Sequence, residues 1–198
     1  MKIRSFISLN LPLSLRHEFS KHAKLIAGQD KHLQIRWLPQ EKYHLTLVFL
    51  GEVEYAILSD LQFTLEQKLE DAECIPLTFS AITPFPFSRP RIAAILVEQN
   101  AELLQLQRDM LNCVRKCKLA TESRRFVPHV TLGRLKPRKG KTIDFKARSF
   151  LFSGFAESVT LFQSELVSSG AIHTVLAEFP LLALPENRLE KGKFCSLK

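Results

Sequence analysis

Two copies of a His-x-Thr element are the part of this sequence whose residue types and spacing could perform chemistry. The first copy is His44-Leu45-Thr46-Leu47 and the second is His129-Val130-Thr131-Leu132. Successive side chains of a β-strand point to opposite faces, so each histidine shares a face with its threonine. An imidazole titrates at about pH 6.5 and a threonine hydroxyl donates hydrogen bonds, a combination suited to a small anion such as phosphate. We therefore predict that the two elements supply a paired acid and base to one substrate.

The surrounding pattern predicts the elements that must position both copies. Apolar residues at helical spacing indicate helices over residues 12–28, 54–71 and 101–118. Besides the two strands with the motifs, further strands are predicted over residues 3–9, 76–82, 91–98, 159–167 and 173–181. Ser168-Ser169-Gly170 has the composition of a turn between the last two strands.

The order of these elements repeats. A strand and a helix precede each motif by nearly the same number of residues, a proline comes shortly before each histidine, and Leu-Gly follows each motif. This pattern indicates a degenerate duplication, in which a pseudo-two-fold axis relates two lobes and brings both motif strands to one central cleft. We predict an α+β fold with mainly antiparallel sheets facing the cleft and helices outside, in one bilobal domain over residues 1–198. The basic tail over residues 188–198 is predicted to be flexible.

Composition restricts the function classes. Among 198 residues, 28 Lys and Arg against 20 Asp and Glu give a formal net charge of +8, which favours anionic partners such as nucleic acid. The four cysteines have neither the Cys-x-x-Cys spacing nor the nearby histidines of a zinc site, so neither a metal site nor a disulfide framework is predicted. We expect no cofactor. Polar residues interrupt the N-terminal segment, and no stretch approaches the roughly 20 apolar residues of a membrane span. We expect a cytoplasmic protein, a monomer, with no membrane partner.

The ordered set of motifs resembles the two-histidine phosphoesterases, most closely the bacterial and archaeal RNA 2′,3′-cyclic phosphodiesterases historically labelled 2′-5′ RNA ligases. The resemblance covers nearly the whole chain. The segments that carry it are Phe6-Ile7-Ser8-Leu9-Asn10-Leu11-Pro12, Arg36-Trp37-Leu38-Pro39, residues 44–53, Phe85-Pro86, Pro90-Arg91, residues 125–132, Leu161-Phe162-Gln163-Ser164 and Phe179-Pro180-Leu181.

This resemblance implies metal-independent hydrolysis of RNA 2′,3′-cyclic phosphate ends to 2′-phosphomonoesters, with reversible 2′-5′ RNA ligation as a minor activity. It implies that His44 is the proton donor to the leaving 3′ oxygen and His129 the proton acceptor. Thr46 and Thr131 would donate hydrogen bonds to the non-bridging phosphate oxygens, and the Arg134 guanidinium would bind the phosphate through two N–H groups. A surface position for Arg134 is the alternative.

Two positions depart from the family pattern. Family members usually have a Trp or a similar residue early in the strand after the Pro-Arg step and a Tyr late in the final strand, where this chain has Ile92-Ala93-Ala94 and His173. We favour a structural role for His173. Phe49 resembles a position that stacks on the terminal base, yet strict alternation places it on the face opposite His44, in the core, unless the strand bulges.

Two other functions stay open. One is an RNA-end binding module without useful turnover, although a module that only binds has no need of two proton-transfer groups. The other is a phosphodiesterase for 2′-5′ linked oligonucleotides or for small cyclic nucleotides such as an ADP-ribose cyclic phosphate. The physiological substrate and the base preference are not determined by these motifs.

Overall fold

The structure is a computed structural model that describes residues 1–29, 35–121, 125–136, 147–167 and 170–183. The predicted tail over residues 188–198 and the turn residues Ser168 and Ser169 lie outside this part of the chain.

Three α-helices form where the apolar spacing predicts them. They are α1 (Leu13–Ala27), α2 (Tyr55–Leu69) and α3 (Ala101–Lys116). Each buries one stripe of side chains; α1 buries Leu15, Phe19, Ala23 and Ile26. The Asn100 side chain caps α3 by accepting a 2.7 Å hydrogen bond from the Leu103 backbone N–H, which satisfies one of the free donors of the first turn. A short 3₁₀ helix, Gln40–Lys42, precedes the first motif.

Nine strands lie in the described residues: β1 (Lys2–Asn10), β2 (Ile35–Trp37), β3 (His44–Glu54), β4 (Ile75–Phe85), β5 (Ile92–Val97), β6 (His129–Leu135), β7 (Arg148–Ala156), β8 (Ser158–Val167) and β9 (Gly170–Pro180). Two of them, β2 and β7, are not predicted from the sequence. Three residues are too few for β2 to show alternation, and β7 is an edge strand whose side chains are mostly partly exposed on both faces.

The strand order is β7-β4-β5-β6-β3-β1-β8-β9, with β2 paired to β6, and every pairing between these named strands is antiparallel. The predicted α+β class with mainly antiparallel sheet is confirmed. The two motif strands, β3 and β6, are neighbours at the centre of the order, and each belongs to a four-stranded half. A duplication would produce this symmetric order, whereas two facing lobes stay a prediction.

One hydrophobic cluster covers the helix-facing side of the sheet across both halves. It contains the buried stripes of all three helices and the apolar motif residues Leu45 and Val130, which are both 0% exposed. The motif histidines and threonines are only partly buried and point to the other face. The core therefore fixes which side of the sheet carries the polar residues.

Candidate active site

The pairing of β3 with β6 brings the two motifs together. Leu45 is the register partner of Val130 in this antiparallel pair. Because the chains run in opposite directions, the neighbouring positions place His44 opposite Thr131 and Thr46 opposite His129. The two histidines are then diagonal neighbours, which in antiparallel sheets lie about 7–8 Å apart. Each histidine has the other motif's threonine as its cross-strand neighbour, and all four side chains share one face.

A β-bulge at the same point of each motif strand adds two residues to this face. In β3 the register skips Leu47, between the pairs Ser8–Thr46 and Ile7–Val48, and Phe49 follows two residues later. In β6 the register skips the equivalent residue, between the pairs Ala94–Thr131 and Ala93–Gly133. A bulge inserts one residue and reverses the later alternation.

These bulges correct one prediction. Strict alternation would bury Phe49 opposite His44, but its side chain is 46% exposed and lies on the histidine face, in ring contact with Phe6. Arg134 occupies the equivalent position of the second motif. It is exposed and pairs with Ile92, whose neighbour Ala94 faces the same way as Thr131. All six predicted site residues therefore lie on one face.

The backbone sets the same tautomer in both histidines. His44 Nδ1 lies 2.8 Å from the Lys42 carbonyl oxygen, and His129 Nδ1 lies 2.7 Å from the Val127 carbonyl oxygen. A carbonyl oxygen can only accept, so Nδ1 carries the hydrogen and donates it. Nε2 of each neutral ring is therefore left as a proton acceptor, and after protonation it becomes a donor.

A phenylalanine packs against each motif histidine. The Phe6 ring stacks on His44 with centroids 5.1 Å apart, and the Phe85 ring packs on His129 with centroids 4.7 Å apart. Together with the Nδ1 hydrogen bond, each ring contact limits imidazole rotation. It also removes water from one side of each imidazole.

Burial disfavours the charged form of both histidines. Burial is the largest cause that lowers the pKa of His44 from its ordinary 6.5 to about 4; the nearby His173 and His129 act in the same direction, and the hydrogen bond to Lys42 opposes them. Burial also lowers the pKa of His129, against the hydrogen bond to Val127. In the free protein at neutral pH both imidazoles are therefore predominantly neutral.

A third histidine lies in this site. His173, on β9, contacts His44 edge-on with ring centroids 5.4 Å apart, and it also packs against Phe6 and Phe162. The motifs do not indicate this residue, because it belongs to neither repeat and is far from both in sequence. The one available signal is its place in the final strand, where the family pattern has a Tyr.

A cleft of about 250 Å³ opens beside His129. Its walls come from both motif strands, from the loop at the end of β4, from α3 and from the segment that precedes β6. The lining residues are Thr46, Leu47, Val48, Phe49, Phe85, Pro86, Gln107, Leu111, Arg125, Phe126, Val127 and His129. An aromatic-lined cleft next to paired imidazoles can hold a planar group such as a nucleobase while a phosphate lies on the histidines.

The described residues include neither a membrane-spanning helix nor a group of side chains that could bind a metal ion. No helix there combines the length and apolar character needed to cross a membrane. No three His, Cys, Asp or Glu side chains of this part of the chain are grouped so that they could hold a metal ion.

Comparison with protein families adds a further finding. The family model described as the 2′-5′ RNA ligase superfamily matches residues 17–148, which include both motifs. Two similar proteins are each named RNA 2′,3′-cyclic phosphodiesterase. The one from Aquifex aeolicus is 27% identical over 186 residues, covering 90% of this chain and 97% of that protein. The one from Methanothermobacter thermautotrophicus is 28% identical over 191 residues, covering 91% of this chain and 100% of that protein.

Solved structures share the fold. A crystal structure of a Thermus thermophilus protein matches with a TM-score of 0.78 at 24% identity, covering 90% of this chain and 98% of that one. LigT of E. coli in its apo form matches with a TM-score of 0.71 at 21% identity, covering 91% of this chain and 98% of that chain. The likeness extends over nearly the whole length of these chains.

Proposed function

The chain belongs to the 2′-5′ RNA ligase superfamily, and on that basis we propose that it is an RNA 2′,3′-cyclic phosphodiesterase. It hydrolyses the cyclic phosphate at an RNA 3′ end and leaves a 2′-phosphomonoester. The names of the two relatives in Aquifex and Methanothermobacter support this choice of substrate.

One observation carries the proposal: two imidazoles and two threonine hydroxyls surround the same point of the sheet, each histidine opposite the other motif's threonine. Hydrolysis of a cyclic phosphodiester needs a base for the attacking water and an acid for the departing oxygen, on opposite sides of phosphorus. Two diagonal histidines satisfy that need, and two hydroxyls between them suit the non-bridging oxygens.

The protons move between Nε2 atoms and substrate. His129 accepts a proton from water as the water oxygen bonds to phosphorus, and His44 donates a proton to the 3′ oxygen as the P–O3′ bond breaks. Each transfer contributes about 100- to 10,000-fold to the rate. Afterwards His129 is protonated and His44 is neutral, so proton exchange with solvent restores the starting state.

Substrate binding favours the protonated form of His44, which the reaction needs. Burial holds the pKa of His44 at about 4 in the free protein, so the acid form is scarce at neutral pH. A bound phosphodiester carries a negative charge within reach of the imidazole, and an adjacent opposite charge favours the protonated form. The acid is therefore formed together with the complex, and binding takes up a proton.

The remaining predicted residues orient the substrate. Thr46 and Thr131 donate to the non-bridging oxygens, where negative charge increases in the transition state. Arg134 adds positive charge on the same face, and Phe49 offers an exposed ring for stacking on the terminal base. None of these steps uses a metal ion, so the proposal includes activity in the presence of EDTA. Ligation of 2′-5′ ends is the minor competing reaction, in which a 5′-hydroxyl takes the place of the attacking water and the same P–O3′ bond breaks.

The test is hydrolysis of a short RNA that ends in a 2′,3′-cyclic phosphate, in EDTA, with the position of the product phosphate read by ³¹P NMR. The native chain should yield the 2′-phosphate, and His44→Ala and His129→Ala should each lose about 100-fold or more. His17→Ala, on α1 and outside the cleft, is the matched control. Tight binding of this RNA without turnover by the native chain would instead show an RNA-end binding module.

A further inference from the structure

Basic side chains converge beside His44 from three separate elements. Lys42 Nζ donates a 2.8 Å hydrogen bond to the Ala171 carbonyl oxygen, which holds the ammonium group at the start of β9. His173 lies two residues further along β9, with its ring against His44. Arg134 reaches the same face from β6 through the bulge. We call Lys42, Arg134 and His173 the basic cluster.

The members of the basic cluster are close enough to act on one another. Burial is the largest cause that lowers the pKa of His173, and the charges of Lys42 and Arg134 lower it as well. In the described part of the chain, no carboxylate forms an ion pair with any of the three. Like charges placed together without a counter-charge repel, and a bound anion removes that repulsion.

A fourth cation lies at the edge of the cluster. Arg36 is the register partner of Arg134 in the β2–β6 pair. Its guanidinium extends over the start of β9, where Nη2 lies 3.6 Å from the position that a β-carbon on Gly170 would occupy. Arg36 therefore lies beside the basic cluster at this edge of the sheet.

The cluster lies on one side of the catalytic pair only. Burial lowers the pKa of His129 and the hydrogen bond to Val127 raises it, so no charged side chain of the described residues is among the causes. The aromatic ring that packs against His129 is that of Phe85. The chemistry at phosphorus needs one imidazole on each side and so does not explain three basic groups beside His44 against the single Arg125 that, among the described residues, lines the cleft beside His129. The asymmetry matches a substrate with more charge on the leaving-group side.

We propose that Lys42, Arg134 and His173 bind a second phosphate of the substrate, attached on the 5′ side of the ribose that carries the cyclic phosphate. This inference rests on the proposed function, in which His44 faces the 3′ oxygen of that ribose. It makes the substrate a nucleotide with at least two phosphates. In an RNA end, the second phosphate is the linkage to the preceding nucleotide.

The test measures binding, so that it does not depend on turnover. Isothermal titration gives the Kd of adenosine 2′-monophosphate, which resembles the product, and of adenosine 2′,5′-bisphosphate, which adds only the second phosphate. A third ligand, the dinucleotide ApA with a 2′-phosphate, carries the second phosphate as an internucleotide diester.

The variants remove one basic group at a time. Lys42→Gln and His173→Gln are compared with Lys24→Gln and His22→Gln on α1; Lys24 is exposed, and His22 stacks on Phe150 away from the cleft. Lys42→Arg retains the charge and distinguishes a loss of charge from a loss of local structure. Thermal unfolding of each variant checks that it is folded.

For the native chain we expect the bisphosphate to bind at least tenfold tighter than the monophosphate. Lys42→Gln and His173→Gln should reduce that ratio to threefold or less, while Lys42→Arg and both α1 controls retain it. A matching gain for the dinucleotide assigns the site to RNA ends, and a gain confined to the bisphosphate assigns it to small nucleotides. Equal affinity in the native chain, or a ratio that neither substitution changes, would overturn the proposal. If the RNA end were not hydrolysed, the proposed function alone would fail.

Discussion

Burial of His44 should make the protein less stable in acid by an amount that one substitution can reveal. The pKa of His44 is about 4 in the folded chain, against an ordinary value of 6.5 in the unfolded chain. The unfolded chain therefore binds the proton first as the pH falls. The stability carried by the neutral imidazole is complete above about pH 6.5 and is lost as the pH falls from there to about 4.

The size of the effect follows from that difference. A shift from 6.5 to about 4 corresponds to roughly 3 kcal/mol at full effect. Because the His44 side chain is partly exposed, solvent screening reduces our expectation to about 2 kcal/mol at about pH 4.5. His44→Asn removes the titration and retains a side-chain N–H that can donate to the Lys42 carbonyl.

The assay is urea unfolding of the native chain and His44→Asn at about pH 7 and about pH 4.5. Between these conditions, the free energy of unfolding of the variant relative to native should rise by about 2 kcal/mol. His17→Asn, at a position outside the cleft, corrects for loss of a histidine as such. A native-to-variant difference that does not change with pH would refute the claim that folding excludes charge at His44.

Four further predictions follow from the same geometry. The kcat/KM of the native chain should fall as pH rises above about 6.5, because both site histidines have lowered pKa values. Replacing His173 with Gln removes an imidazole whose protonation lowers the pKa of His44, so an NMR titration should give His44 a higher pKa in the variant than in the native chain; equal pKa values would contradict the coupling. Gly133→Ala should cost about 1–3 kcal/mol in urea unfolding, since its β-carbon would lie 2.6 Å from Ile35 Cγ2, and a cost near zero would show that β2 moves freely. Phe49→Ala should raise the KM for RNA ends about tenfold or more with a smaller change in kcat, as expected for lost base stacking; an unchanged KM would remove Phe49 from the binding site.

Alternation along a strand was sufficient to predict the shared face of each His-Thr pair. Leu45 and Val130 are apolar and lie between polar residues, so burying them exposes His44 and Thr46 on one strand and His129 and Thr131 on the other. The repeat of a strand and a helix before each motif also predicted that β3 and β6 are equivalent. Short-range periodicity carries this information because the core enforces it.

The bulges could not be predicted in the same way. One extra residue at Leu47, and another at Leu132, reverses the later alternation and brings Phe49 and Arg134 to the histidine face. A bulge depends on how two strands fit against their neighbours, which the sequence of a single strand does not contain.

The position of His173 depends on still longer-range pairing. It reaches His44 because β9 pairs with β8, β8 pairs with β1 and β1 pairs with β3. Three successive registers determine that contact, and no motif around His173 marks it. The basic cluster is a property of the assembled sheet for the same reason.

The most direct test of paired acid and base chemistry compares two leaving groups. A cyclic substrate with sulfur in place of the 3′ oxygen releases a thiolate, which departs without protonation far more readily than an alkoxide. Turnover of this substrate should be restored towards the native rate in His44→Ala and should stay impaired in His129→Ala. Equal rescue of both variants, or rescue of His129→Ala alone, would contradict the assignment of His44 as the acid and His129 as the base.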